Sequence, residues 1–296
     1  MSKEDTTVRQ EAVQNPESYR LTVLRPGGND TCLIAGIIDD AATRKRVNDA
    51  VMESYPTVEQ VGFVDLDPAS PKLMMAGGEF CGNATRSTAW LALGGQPGEL
   101  LVQVSGVSKL LRAGVTAKKE AFAEMPIYGD PKKIMEDPEV PGNYVVKMEG
   151  ITQYIAFDTE VISGLTPDEI KITAKKRIDE NDLGRFPAAG VIYSQKNGDG
   201  WRITPVVFVP GASDEGTLFL ETACGSGTTA LGMVLAMQQG ASIKDVPIMQ
   251  PSGLAIAVSV EFDGQSFQQA QISGPLEIVV PMALLRLPLS TGKEEI

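Results

Sequence analysis

Histidine is absent from this chain. That removes Ser-His-Asp and Cys-His nucleophile systems, imidazole general bases and histidine metal sites in one step. Proton chemistry must fall to cysteine, aspartate, glutamate, lysine or tyrosine. Three cysteines are present, Cys32, Cys81 and Cys224, and two of them stand in matched surroundings. Cys81 lies in Glu79-Phe80-Cys81-Gly82-Asn83-Ala84-Thr85, and Cys224 in Glu221-Thr222-Ala223-Cys224-Gly225-Ser226-Gly227-Thr228-Thr229. Each stands just before a Gly-polar-small helix start, where free backbone N–H groups and the positive end of the helix dipole stabilise negative charge. Such a place lowers a thiol pKa from about 8.5 toward neutrality. A thiol with a pKa near the working pH is a base in one protonation state and an acid in the other. One such cysteine suggests a nucleophile. Two suggest a base and an acid facing each other, a pair suited to inverting a C–H centre.

The α-proton of an amino acid is only weakly acidic, so the carbanion needs electrostatic support. N–H groups at both helix starts, aimed at a substrate carboxylate in a dry cleft, would supply it. Gly82, Gly225 and Gly227 would let the backbone come close. The bland reading of a Cys-Gly before a helix is a small buried residue at a turn. Two copies with matched flanks argue for function. Cys32 has no such context and reads as a core residue inside an apolar strand. No GxGxxG or P-loop run competes.

The elements that must carry these residues are legible in outline. Strands are expected over Tyr19–Leu24, Cys32–Ile38, Gln60–Leu66, Leu100–Val104, Tyr144–Met148, Ile151–Phe157, Gly190–Ser194, Thr204–Val209 and Leu218–Glu221. Helices are expected over Asp39–Glu53, Ser87–Leu93 (after a Gly-Asn turn), Thr166–Asn181 and Thr228–Gln238. The apolar run Leu276–Leu287 should return as a strand to the first half. The two halves share a rhythm of strands, acidic residue, Cys-Gly motif and helix, as in an internal duplication. The boundary between them is expected in Pro126–Gly142, and a cleft between similar halves favours a small-molecule site.

The chain has 296 residues and a net charge of −12. With a pI near 4.6, nothing suits it to phosphate backbones or anionic membranes. No apolar run spans a bilayer, and Met1–Glu17 is polar, without the apolar segment of a signal peptide. The expected location is the cytoplasm. Three cysteines without a CxxC pair fit neither a disulfide framework nor a zinc knuckle.

These residues give the chain a resemblance to the diaminopimelate epimerase fold superfamily, two-cysteine isomerases that work without a cofactor. Pro26-Gly27-Gly28-Asn29-Asp30 looks like the family's N-terminal substrate loop, and Cys81-Gly82-Asn83 and Ala223-Cys224-Gly225-Ser226-Gly227 look like its two cysteine motifs. The sequence is more closely similar to the histidine racemases of staphylopine-type metallophore biosynthesis. That similarity is carried by Glu59-Gln60-Val61-Gly62-Phe63, Gly77 to Thr85, Val104-Ser105-Gly106, Glu221 to Thr228 and Gln250-Pro251-x-Gly253.

The resemblance implies an α+β fold of two pseudo-symmetric lobes, each a mixed β-sheet wrapped around a central helix. The lobes would span 17–127 (joined by 277–290) and 128–276, after a disordered lead-in over 1–16. It implies Cys81 and Cys224 as the catalytic pair, and Asn29, Glu59, Gly82, Asn83, Glu221, Gly225 and Ser226 as substrate-binding residues, with no cofactor and no metal. Glu59 and Glu221 could bind a substrate ammonium or set a thiol's protonation state; the sequence does not choose. The Glu-Arg pair that diaminopimelate epimerases carry before the second cysteine is missing: Ala212-Ser213-Asp214-Glu215-Gly216-Thr217 has no arginine, and only Glu215 could stand in for the acidic half. The Asn-Pro-His segment is replaced by Gly150-Ile151-Thr152-Gln153-Tyr154, and the later substrate asparagine falls at Ala188 or Ala189.

The expected function is racemisation of a free amino acid, histidine leading. The alternatives are diaminopimelate epimerisation or isomerisation of another small acid on the same fold, a non-catalytic amino-acid binder, and a pyridoxal-dependent racemase. The expected partner is the amino-acid substrate, with neither nucleic acid nor membrane. A homodimer is compatible with the sequence, which does not fix the oligomeric state.

Overall fold

The structure, a computed structural model, describes residues 17–210 and 216–287. The expected lead-in over 1–16 and the stand-in Glu215 lie outside the described residues. Four α-helices occur among them: α1 (Ala41–Ser54), α2 (Gly82–Ala92), α3 (Pro167–Glu180) and α4 (Gly225–Gln239). The strands of the first half are β1 (Ser18–Pro26), β2 (Asp30–Ala35), β3 (Val58–Asp65), β4 (Lys72–Met75), β5 (Gly98–Val104), β6 (Leu111–Val115) and β7 (Ala121–Glu124). Then follow β8 (Ile134–Glu136), β9 (Tyr144–Met148), β10 (Ile151–Ala156), β11 (Ala189–Asn197), β12 (Gly200–Val209), β13 (Thr217–Leu220), β14 (Ile243–Met249), β15 (Ala255–Phe262), β16 (Phe267–Gly274) and β17 (Leu276–Arg286). The class is α+β. Among the described residues no helix is long and apolar enough to cross a membrane.

Hydrogen-bonded ladders link the strands into one large mixed sheet. Parallel pairs such as β2–β3 and β10–β11 sit among antiparallel ones. As expected, β17 returns to the start of the chain, pairing antiparallel with β1 from Ser18 opposite Arg286 to Pro26 opposite Leu276. Across the expected boundary the ladder is continuous, since β16 pairs antiparallel with β7. The boundary segment itself forms β8, which pairs with β9.

Local chemistry explains where the helices begin. Asp40 caps α1, its carboxylate accepting from the Thr43 N–H at 2.7 Å. Thr166 and Glu169 make a reciprocal capping box on α3, with Pro167 in the first turn. The helix expected over Ser87–Leu93 begins five residues earlier, at Gly82. The supposed Gly-Asn turn is the first turn of α2, because the Cys81 sulfur accepts from Ala84 N–H and draws Gly82 and Asn83 into the helix. In the same way α4 starts at Gly225, under a cap from Cys224, rather than at Thr228.

These two helices are the spindles of the structure. α2 packs against strands β1 to β7, and α4 against β9 to β11 and β14 to β16. α4 is buried on nearly every side, which its sequence Gly-Ser-Gly-Thr-Thr-Ala-Leu-Gly-Met-Val-Leu-Ala requires: no face carries a charge. Leu231, Val234, Val258 and Val260 share its core, and burying each such side chain contributes about 1.5–3 kcal/mol. Gly232 lets the helix approach the sheet, since a Cβ there would lie 2.7 Å from Val258 Cγ2. The helix ends at Gly240, whose φ of 69° closes the last turn.

Candidate active site

The fold brings the N-termini of α2 and α4 together. Asn83, in the first turn of α2, donates its amide to the carbonyl of Ala223 at 3.2 Å, and Ala223 immediately precedes Cys224. One methyl group, Ile272 Cδ1, lies against both first turns: a Cβ at Gly82 would sit 3.2 Å from it, and one at Gly225 2.9 Å. Both cysteines are therefore the caps of helices that meet at one point. Their sulfurs accept from Ala84 N–H and Gly227 N–H, each at 3.3 Å.

Around the caps runs a polar network. Cys81 donates its thiol to Gln60 Oε1. The Cys224 sulfur lies 3.5 Å from Ser226 Oγ, which accepts from Gln153 Nε2 at 2.9 Å. The Cys224 N–H donates to Gln250 Oε1 at 2.9 Å, and Gln250 donates in turn to Thr228 Oγ1 at 3.0 Å. Glu59 accepts from Asn29 Nδ2 at 2.7 Å, from Thr222 N–H at 3.4 Å, and from the Thr222 hydroxyl. Asn29 is wholly buried, its carbonyl held by Thr31 Oγ1 at 3.0 Å.

The residues expected to be catalytic or substrate-binding thus fall in or beside one cluster: Cys81, Gly82 and Asn83 at α2; Glu221, Cys224, Gly225 and Ser226 at α4; Asn29 just before β2 and Glu59 in β3. Cys32 is fully buried in β2, apart from this cluster, as its apolar context suggested. Gln60, Gln153, Thr222 and Gln250 carry no predicted role, although all four lie in stretches quoted from the sequence. A glutamine or threonine carries no chemical signature until the fold points it at a thiol.

Charge in the cluster runs against one expectation. Burial pushes the Cys81 thiol up to about 12, the Ala84 N–H pulling it down and Glu79 and Glu221 pushing it further up. Cys224 is likewise raised well above its ordinary value by burial, and by Glu221 beside it. The helix-start N–H groups act in the anticipated direction, but loss of solvent outweighs them. Cys81 is 7% exposed and Cys224 2%, so burial favours the protonated form of both thiols in this enclosed arrangement. Glu221 itself rises to about 7 through burial, against the hydrogen bond from the Cys224 thiol, with Glu59 adding a smaller push upward. Burial also raises Glu59 against the hydrogen bonds from Thr222 and Asn29. A carboxyl titrating near neutrality next to a thiol is a proton-sharing pair.

A surface hollow of about 500 Å³, lined by Trp90, Leu91, Gly94, Gly95, Lys119 and Ile278, touches none of these residues. Among the described residues no group of three His, Cys, Asp or Glu side chains could hold a metal ion.

The family described as "Histidine racemase CntK N-terminal domain" matches residues 21–281. A histidine racemase of Fusobacterium nucleatum (strain ATCC 23726) is 30% identical over 267 residues, covering 86% of this chain and 93% of the relative. One from Staphylococcus aureus (strain Mu50) is 25% identical over 277 residues, covering 90% and 97%. In fold, the chain is similar to a solved hydroxyproline epimerase from Agrobacterium vitis with bound trans-4-hydroxy-L-proline, with a TM-score of 0.61, 12% identity and 91% of each chain covered.

Proposed function

Because this chain belongs to the histidine racemase family and is an isomerase of the racemase type, we propose that it inverts the α-carbon of a free amino acid, histidine first among its substrates, with Cys81 and Cys224 as the acid/base pair. The observation that carries this reading is the meeting of two cysteine-capped helix N-termini, joined by the Asn83–Ala223 hydrogen bond.

In this mechanism one sulfur, as thiolate, takes the α-proton. The electron pair left on carbon delocalises into the substrate carboxylate, which the N–H groups of both first turns stabilise. The opposite thiol then delivers its own proton to the other face. The product has the other hand, and the two sulfurs have exchanged protonation states. Glu221, which titrates near neutrality beside Cys224, receives the Cys224 proton when that thiol ionises, and while it is itself ionised it keeps the thiol protonated. Glu59 and Asn29 line the same cluster and supply acceptors and donors for the substrate ammonium and side chain. Two pseudo-symmetric lobes, 17–127 with 277–290 and 128–276, belong to the same reading. The separate packing of α2 and α4 against their own strands supports them.

The test is α-proton exchange in deuterated buffer across a panel of L- and D-amino acids. Histidine of either hand should exchange and interconvert. Exchange of meso-diaminopimelate without histidine would replace the substrate, and exchange of no amino acid would leave a binding protein. Cys81→Ser and Cys224→Ser should each abolish racemisation; full activity in either would overturn the two-thiol mechanism.

A further inference from the structure

Arg86 is the largest fully buried side chain among the described residues, with no solvent exposure at all. It lies on α2, one turn beyond the Cys81 cap. Its Nε and Nη2 donate to Asn83 Oδ1 at 3.3 and 3.1 Å. No aspartate or glutamate pairs with it among the ion pairs of the described residues. Its Nη1 has no hydrogen-bond partner among the described residues. A buried guanidinium without a carboxylate is costly, and protein interiors rarely keep one.

The backbone makes room for it. A Cβ on Gly27 would lie 2.9 Å from Arg86 Nη2, and one on Gly274 would lie 3.2 Å from Nη1. Gly27 belongs to the loop before Asn29, and Gly274 closes β16 two residues after Ile272. Two side-chain-free positions, from opposite ends of the chain, thus wall the guanidinium. Its only side-chain partner, Asn83, is the residue whose amide bridges to Ala223 in front of Cys224.

We propose that Arg86 is a positioning residue for the two-thiol reaction: an unneutralised cation beneath the N-terminus of α2 that clamps Asn83 onto the α4 motif and favours the thiolate form of Cys81. This rests on the proposed acid/base role of the cysteines. The other charges facing the Cys81 thiol, Glu79 and Glu221, are both acidic and oppose its ionisation. Glu59 and Asp30 lie further along the same cluster, with Arg25 already paired to Asp30. Glu120 acts on Arg86 itself. Cys81 in turn favours the charged form of Arg86, so Arg86 acts with the helix N–H groups against burial and those carboxylates, while Arg44, bonded to backbone carbonyls, acts on Glu79. Burial lowers its own pKa only to about 10, so it remains charged throughout the neutral range.

The experiment measures the pH dependence of Cys81 alkylation by iodoacetamide, located by mass spectrometry, in a Cys224→Ser background, together with thermal melting. It compares Arg86 with Arg86→Met, Arg86→Gln (which keeps a donor for Asn83) and Arg86→Lys (which keeps the charge). The neutral variants should slow Cys81 alkylation roughly tenfold or more at each pH below the midpoint, as loss of a nearby opposite charge lowers the thiolate fraction. They should melt no lower than the parent, because an unpaired buried charge is removed. Arg86→Lys should hold the alkylation rate, and in the Cys224-containing enzyme should lower kcat with little change in KM. An unchanged alkylation rate in the neutral variants overturns the proposal. So does a melting point that falls in both, or failure of both to fold, since Arg86 would then serve the fold alone. The alkylation readout does not need turnover, so absence of amino-acid exchange by the wild type would refute the proposed function and leave this measurement standing.

Discussion

Replacing Glu221 by glutamine should make the protein more stable as the pH rises and less active at the same time. A free glutamate titrates near 4.5; in the folded protein Glu221 titrates at about 7. Its folded-state pKa is raised, so the native state holds a proton that the unfolded state has released between those two values. Stability therefore falls as pH climbs through that window and is fully retained below it. Each unit corresponds to about 1.4 kcal/mol, so the whole rise is on the order of 3 kcal/mol, shared with the Cys224 thiol it adjoins. Glutamine cannot ionise and keeps a similar shape. Urea unfolding at pH 5, 6, 7 and 8, under reductant, should show the wild-type midpoint declining relative to the Glu221→Gln midpoint, with the gap opening above pH 5 and levelling above pH 8. Racemisation by the variant at pH 7 should fall at least tenfold, because Cys224 loses the group that takes its proton. Parallel stability curves for the two proteins would refute the argument, since they would mean Glu221 is solvated and titrates as a surface acid.

Three further outcomes follow from the same geometry. Gly225→Ala drives a methyl toward Ile272 Cδ1, 2.9 Å from the new Cβ position, and should cost about 1–3 kcal/mol in chemical denaturation; adding Ile272→Val, which deletes that methyl, should recover most of the loss, and independent additive effects would contradict the shared contact. Gln250→Leu strands the Cys224 N–H and Thr228 Oγ1, both buried, and should cost about 2–3 kcal/mol; a variant as stable as wild type would show those groups satisfied elsewhere. Oxidation of the substrate-free protein should join Cys81 to Cys224 and stop turnover, with activity returning on thiol reduction; full activity after complete oxidation, checked by peptide mapping, would separate the two sulfurs.

The strongest features of the site were legible because they are local. A cysteine before a Gly-polar-small run is a helix-start pattern, and two copies in one chain name each other. Even so, the helix starts were placed late, because Gly82, Asn83 and Gly225 read as turn residues until a sulfur cap is allowed for. Strands β6, β7 and β8 escaped notice because Gly114 and short lengths blunt their pattern. Strand β15 had a clean signal: Ile256, Val258, Val260 and Phe262 alternate into the core and were passed over. What no local pattern could supply is the balance between burial and helix dipole at the thiols. The N–H groups of Ala84 and Gly227 are written in the motif. The desolvation that overrides them comes from Ile272, Met125 and strands far along the chain. Arg86 shows both halves of the lesson: its spacing of three from Asn83 is legible, its complete burial is not.

The crowding of ionisable groups follows from what the proposed reaction asks. A racemase of this kind must work equally from either hand of its substrate, so neither thiol can be permanently the base. With Cys81, Cys224, Glu221 and Glu59 in one dry cluster, ionising a second acidic group is expensive, while a fully protonated cluster has no base at all. In the proposed reaction the productive state would hold one negative charge that moves between sulfurs. The carboxylates raise both thiols and keep a second proton in place; the helix N–H groups and the cation at Arg86 hold the first charge near the substrate. Activity should then rise through one macroscopic pKa, as the single charge forms, and fall through a second, as the donor thiol is lost. Those pKa values belong to the cluster, so removing any one member, Glu221 or Arg86 included, should move both limbs of the pH profile rather than delete one. A variant that erased a single limb and left the other in place would assign that proton to one residue and end the idea of a shared charge.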